Sequence, residues 1–248
     1  MSQQKTYPIR CPKCQREQDL DLYESINVIT DPGLKTQLMT AKLNTVSCEQ
    51  CKASFRIDKP LLYHDPSRKL MIYWIPTKDN EIAVGQKKFT ECLSQLNTLL
   101  PQGLETPEVH LVFSRTELVE RIFLFEAGLN ERIIEYIKHM IYGKNNAKLD
   151  PARKALLFDA EDSTPEMLCF VVQDVATKQL EALLQYSRDA YTALCEVFDN
   201  DEQTAILFEM FPGPYISARA CLLKEAAAEA GSPKPSAQES PSSKPEPR

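Results

Sequence analysis

Two cysteine pairs, Cys11-Pro12-Lys13-Cys14 and Cys48-Glu49-Gln50-Cys51, constrain this chain more than any other feature. Each C-x-x-C pair turns two sulfurs to one side of a tight bend, and two pairs together supply four soft thiolates. Four thiolates complete a tetrahedral Zn²⁺ shell with no position left for water, which is the layout of a structural zinc and not a catalytic one. Cys11, Cys14, Cys48 and Cys51 are therefore the expected ligands of one structural zinc per chain. Two other uses of the pairs compete with this. Disulfides are disfavoured in the cytosol. The polar start MSQQKTYPIR, with no apolar run of about 18 residues anywhere, predicts a cytoplasmic protein that does not enter a membrane. A redox C-x-x-C usually sits in a strand-to-helix turn of a βαβ pattern, and polar Gln15-Arg16-Glu17-Gln18 does not start such a helix.

The pairs are 33 residues apart, against about 15–20 in the common ribbon spacing. Doubling a flexible loop costs only about 0.6 kcal/mol, whereas structural zinc binding is worth roughly 10–16 kcal/mol. The metal wins, so the gap is admissible if it holds structure of its own. Polar and apolar residues alternate over Asp19–Ile26, which predicts a strand. Asp31-Pro32-Gly33 reads as a turn with proline just inside a helix start, and Leu34, Leu38 and Leu43 give that short helix one apolar face. Asn44–Ser47 returns as a strand. Beyond Cys51, segments 54–63 and 69–75 flank the turn His64-Asp65-Pro66-Ser67-Arg68 and predict a β-hairpin.

These residues resemble the bacterial CpXC proteins, named for paired Cys-Pro-x-Cys motifs. The resemblance rests on Cys11–Cys14, Glu24–Val28, Asp31-Pro32, Cys48–Cys51, Leu62–Asp65 and Met71–Pro76. It covers about the first 76 residues, and Glu126–Asn130 looks like the continuation found in longer members. It implies a zinc-ribbon-like module and supplies no activity. The chain departs from the pattern at Glu49, where proline is expected, and at Gln15 and Lys52, where such knuckles often place glycine.

Charge divides unevenly. Residues 1–76 carry 11 Lys/Arg and 8 Asp/Glu, and residues 77–248 carry 18 and 27. A net charge of +3 on the first segment is well short of the clustered basic stripe of a dedicated nucleic-acid binder. The expected class is α+β, in three parts: a zinc-ribbon-like module over 1–76, an acidic, mostly helical body over 77–230, and a disordered Pro/Ser-rich tail over 231–248. That tail holds five prolines, five serines and no aliphatic side chain larger than alanine, too little to offset its ordering entropy. In the body, helices are expected over Ile82–Leu100 and Arg115–Ala127, with a strand over His110–Ser114 between them. Gly128 then fits a left-handed helix end, and Asn130 fits the N-cap of an amphipathic helix carrying Ile133, Ile134, Ile137 and Ile141. Strands follow at Lys154–Phe158 and Met167–Val172. A long helix is expected over Thr177–Phe198, from Leu180, Leu183, Leu184, Tyr191, Leu194 and Val197, and a last one over Ile216–Ala230.

No phosphate loop, dinucleotide fingerprint or nucleophile elbow is present in the sequence, and seven glycines leave little room for one. The leading functional reading is a non-enzymatic, zinc-stapled module that meets another macromolecule, with protein the favoured partner given the overall acidity. Nucleic acid is a weaker version of the same idea. The rival is an enzyme with its site between ribbon and body, using His64 as a base beside Asp65, or the Glu126, Glu131 and Glu135 corner. The favoured reading is instead His64 as a turn histidine bonded to nearby backbone and the three glutamates as a solvated helix face. Cys92, Cys169, Cys195 and Cys221 never fall into C-x-x-C spacing and read as core packing, and His110 and His139 as packing or surface residues.

Overall fold

A mixed five-stranded sheet carries the first cysteine pair, and a separate two-stranded ribbon carries the second. The computed structural model describes residues 2–78, 81–99 and 109–231. Strands β1 (Gln3–Arg10) and β2 (Glu17–Asn27) form an antiparallel hairpin, with Tyr7 opposite Leu20 and Arg10 opposite Glu17. Helix α1 (Pro32–Met39) follows, then a two-stranded ribbon of β3 (Thr45–Ser47) and β4 (Ser54–Arg56). Strands β5 (Leu61–Asp65) and β6 (Leu70–Trp74) make the second hairpin. After helix α2 (Ile82–Leu99), strand β7 (Val109–Val112) joins β6 in parallel, completing the order β1-β2-β5-β6-β7. The sequence reading contained no β1. Its residues are mostly exposed, as a polar edge strand permits, so they carry no apolar alternation to read.

The sheet buries both faces around β5–β7. Tyr63, Ile72, Trp74 and Val112 share one core with Leu34 and Leu38 of α1, and with Leu118 and Ile122 of helix α3 (Arg115–Glu126). Tyr73, Ile75 and Leu111 pack with Phe89 of α2. Gly85 allows this approach of α2: a Cβ there would lie 2.4 Å from the Phe113 ring. Helix α4 (Glu131–Lys144) follows α3 through a tight corner. Gly128 has φ +67°, and Asn130 caps α4 by accepting from the Arg132 and Ile133 amides.

The second sheet is an antiparallel meander, β10-β9-β8, of β8 (Lys154–Asp159), β9 (Met167–Asp174) and β10 (Leu180–Ser187). The expected helix over 177–198 is thus half strand: only α5 (Arg188–Val197) is helical, with Ser187 as its N-cap. The leucine spacing fits both periods, since Leu180, Ala182, Leu184 and Tyr186 also alternate. The open edge of β9 then decides the outcome, because pairing satisfies backbone groups that a helix at 180–187 would leave bare on β9. Helices α6 (Asp201–Met210) and α7 (Ala218–Gly231) finish the described fold. Residues 100–108, where Pro101, Gly103 and Pro107 mark a loop in the sequence, lie outside the described residues, and so does the expected tail, apart from Gly231 at the end of α7. No helix among the described residues is long and apolar enough to cross a membrane.

Candidate metal centre

Each cysteine pair forms the same backbone device. In the first, the Cys11 amide donates to Arg16 O and the Gln15 amide to Cys11 O, both at 2.9 Å. In the second, the Cys48 amide donates to Ala53 O and the Lys52 amide to Cys48 O, again at 2.9 Å. Both turns close through a left-handed residue, Gln15 at φ 61° and Lys52 at φ 56°, the two positions where glycine is common in such knuckles. The first turn joins β1 to β2 and the second joins β3 to β4, so two hairpin tips face each other. Gln18 ties them: its Nδ-equivalent amide, Nε2, donates to Ser47 O at 3.4 Å, and its Oε1 accepts from the Glu49 amide at 3.0 Å.

The tips bring the four sulfurs together. Cys11 Sγ lies 3.6 Å from Cys51 Sγ, and Cys14 Sγ lies 3.5 Å from Cys48 Sγ. All four lie within 4.8 Å of one another, a grouping able to hold a metal ion. Tetrahedral bonds of about 2.3 Å place sulfurs roughly 3.5–4 Å apart, so the set needs little adjustment to take zinc. Cys11 and Cys48 are buried, while Cys14 and Cys51 reach partly to solvent. Backbone N–H groups inside each turn point at sulfur, as the Lys13 amide does toward Cys11 Sγ at 3.4 Å. The Cys51 and Gln50 amides pull the Cys48 thiol down to about 6 against the effect of burial. Cys14 goes the other way, to about 12: the Arg16 amide lowers it, but burial and the neighbouring thiols outweigh that amide. Four negative sulfurs cannot share so small a space without a cation, and a divalent ion would hold all four as thiolates.

The residues of the rival site do not come together. Tyr63 faces the core under α3, so the next residue, His64, points to the other face of the sheet, on the side of its partner Met71. His64 Nδ1 lies 3.4 Å from the Asn27 side-chain Nδ2. Glu126 is ion-paired with Lys35. Glu131 and Glu135 are not on a solvated face: they are 5% and 4% exposed, within a buried ionic layer between α3, α4 and α7. Lys138 Nζ donates to Glu120 at 2.6 Å and to Glu135 at 2.7 Å, and Glu135 also accepts from the Ala218 amide at 2.8 Å. Arg121 and His110 meet Glu131, each at 2.6 Å. Burial opposes ionisation of Glu131, but Arg121 and His110 overcome it and hold its carboxyl below the usual range. Glu120, Arg121, Glu135, Lys138, Tyr142 and Arg219 line a cavity of about 170 Å³. Every carboxylate named there is already paired, so the layer serves packing. Of the remaining cysteines, Cys169 is buried in β9 and Cys195 packs on the second core, while the side chain of Cys92 lies outside the described set.

Four cysteines at the tips of two hairpins, on an α+β frame, form a group that could hold a metal ion. The family model for CpXC proteins matches residues 9–138. That span is more than half of the chain and takes in all four cysteines, so the chain belongs to the CpXC family. No curated protein and no solved structure matches it.

Proposed function

We propose that Cys11, Cys14, Cys48 and Cys51 hold one structural zinc, and that the stapled protein is a non-enzymatic interaction module whose partner is another protein. The observation that carries the metal half is the convergence of four thiols from two knuckles, which leaves no ligand position for substrate. Zinc is favoured by the all-thiolate tetrahedral set. A cytoplasmic location belongs to the same proposal, because a reducing compartment keeps the four thiols available. The interaction half draws on large apolar side chains that reach solvent: Leu180 and Leu183 on β10, Val197 on α5, and Ile206 and Phe208 on α6. The net charge of −6 makes protein a better match than nucleic acid.

Elemental analysis of freshly purified protein tests the metal, and affinity capture with mass-spectrometric identification tests the partner. Zinc should be present, and Cys11→Ser should lose the four-thiolate ion. Capture on the intact chain should retain a protein that a Leu180→Ser, Leu183→Ser variant releases. Protein free of zinc would overturn the first half. Retention only of nucleic acid, released between low and moderate salt, would overturn the second.

A further inference from the structure

A second group of metal-ligating side chains lies away from the sheet, where α4 meets α7. His139 on α4 and Cys221 and Glu225 on α7 each offer one ligand atom, and the three atoms lie within 4.8 Å of one another. Cys221 and Glu225 are one helical turn apart, so α7 presents both on one face. Cys221 Sγ is 3.2 Å from Glu225 Oε1, and His139 Nε2 is 3.9 Å from Glu225 Oε2. Zinc with bonds of about 2.3 Å to sulfur and 2.0–2.1 Å to nitrogen or oxygen spaces tetrahedral ligands roughly 3.3–3.6 Å apart. Side-chain adjustments of about an ångström reach that geometry.

A further observation points to a ligand here. His139 Nε2 is buried and has no hydrogen-bond partner. A native interior rarely leaves such a nitrogen unmet, because its lost hydration is not replaced. It faces a thiol and a carboxylate, and a cation between the three would satisfy all of them. A divalent ion there would take the Cys221 sulfur as thiolate and release one proton.

We propose that His139, Cys221 and Glu225 form a second zinc site, with three protein ligands and a fourth position open to solvent. The donor set mixes imidazole, thiolate and carboxylate, which suits zinc and disfavours magnesium and calcium. Three protein ligands with one exchangeable position is the layout of zinc that works on a bound molecule, in contrast to the closed four-cysteine centre. Cys221 and Glu225 also line a groove of about 720 Å³ walled by Ile82, Phe211 and Tyr215. The fourth position thus suits water or a small anion that enters from the groove. The proposal uses no residue of the four-cysteine centre and stands independently of it.

The test is titration of the full-length protein with Zn²⁺ and with Co²⁺, read by native mass spectrometry and by thiolate-to-cobalt absorption. Wild type should take two ions per chain, the second adding the absorption of a single thiolate. Glu225→Gln and Cys221→Ser should each weaken the second ion by at least about 100-fold, since losing even an orienting neighbour of a ligand costs 10–100-fold. Cys221→Ser should also abolish the added single-thiolate band. The Glu225 side chain is 55% exposed, so Glu225→Gln leaves the fold intact, and circular dichroism checks this. That variant alone decides the matter if Cys221→Ser fails to fold. A wild-type chain that binds no ion sensitive to Cys221→Ser or Glu225→Gln would overturn the proposal, whatever the four-cysteine centre holds. So would a second ion whose affinity and spectrum are the same in wild type and Glu225→Gln, which would mark adventitious surface binding.

Discussion

Arg115, the first residue of α3, donates through Nη2 to the carbonyl oxygen of Leu38 at 2.6 Å, near the end of α1. The same nitrogen reaches Met39 O at 2.8 Å. The last carbonyls of a helix have no partners within it, and α1 has no basic residue in its last turn to serve them. A guanidinium 77 positions along the chain does so, beside the Ala41 amide that also donates to Leu38 O at 3.1 Å. The helix between the two cysteine pairs is thus capped by a residue from beyond residue 76.

Arg115→Ala should therefore destabilise the region of α1 more than that of α4. Two hydrogen bonds from a half-buried charge are worth about 1–2 kcal/mol together after allowance for solvent. Hydrogen exchange should quicken at amides over 34–43 and stay unchanged over 133–141. Equal exchange in both proteins would show that the cap carries no weight.

Loss of the proposed metal should open one end of the ribbon only. Ile26, Tyr63, Ile72 and Trp74 lie in a core that also takes in Val112, Leu118 and Ile122, so packing holds them without zinc. The facing hairpin tips have no such core. In Cys11→Ser, amides over 9–20 and 44–57 should lose protection, while those of Ile72 and Trp74 keep it. Loss at Ile72 as well would mean that zinc holds the whole sheet.

The cysteine centre was legible because each pair is local: spacing alone fixes which sulfurs share a bend, and only their meeting needs the fold. The caps at Gly128 and Asn130 were legible for the same reason. The buried ionic layer was not, since Glu131 meets Arg121 and His110 from three separate elements, and charges between apolar stripes read as solvent-facing. One signal was available. Lys138 lies four residues after Ile134, and Glu131 four before Glu135, so these charges follow the apolar face of α4 at its own period.

Lys138→Met should be among the most damaging single changes. It leaves Glu120 and Glu135 buried without their cation, a loss of about 3–5 kcal/mol. Burial already raises the Glu120 carboxyl above its ordinary value even against Lys138. Without the lysine it rises further, so the folded state holds a proton that the unfolded chain releases. The variant should then be most stable below the ordinary glutamate range and lose stability as pH rises through the raised value. Urea melts between pH 4 and 8 would show this slope, and a flat profile would refute it.

Asp174 titrates in the opposite sense. Its carboxylate accepts from the Ala176 and Thr177 amides and from Thr177 Oγ1, and it meets Lys154 Nζ at 3.0 Å. The Thr177 amide first, then Lys154, hold this carboxyl well below the usual range. A depressed value gives stability above about pH 4, the unfolded aspartate pKa, and that stability is lost as pH falls toward the folded one. Asp174→Asn should loosen the β9–β10 turn at neutral pH, and the difference from wild type should shrink on acidification. Amide exchange at Thr177 across a pH series reads it directly.

The positions of the four thiols also bear on the order of assembly. All lie between Cys11 and Cys51, whereas the last strand of the five-stranded sheet begins 58 residues later, at Val109. At translation rates of 5–20 residues per second, roughly 3–12 seconds separate the emergence of Cys51 and Val109. Throughout that interval β6 has no parallel neighbour on its outer side. A metal ion captured during synthesis would pin the two hairpin tips early, whereas the outer edge of β6 stays open to the wrong chain until Val109–Val112 is made, so translation rate and not metal supply sets that exposure.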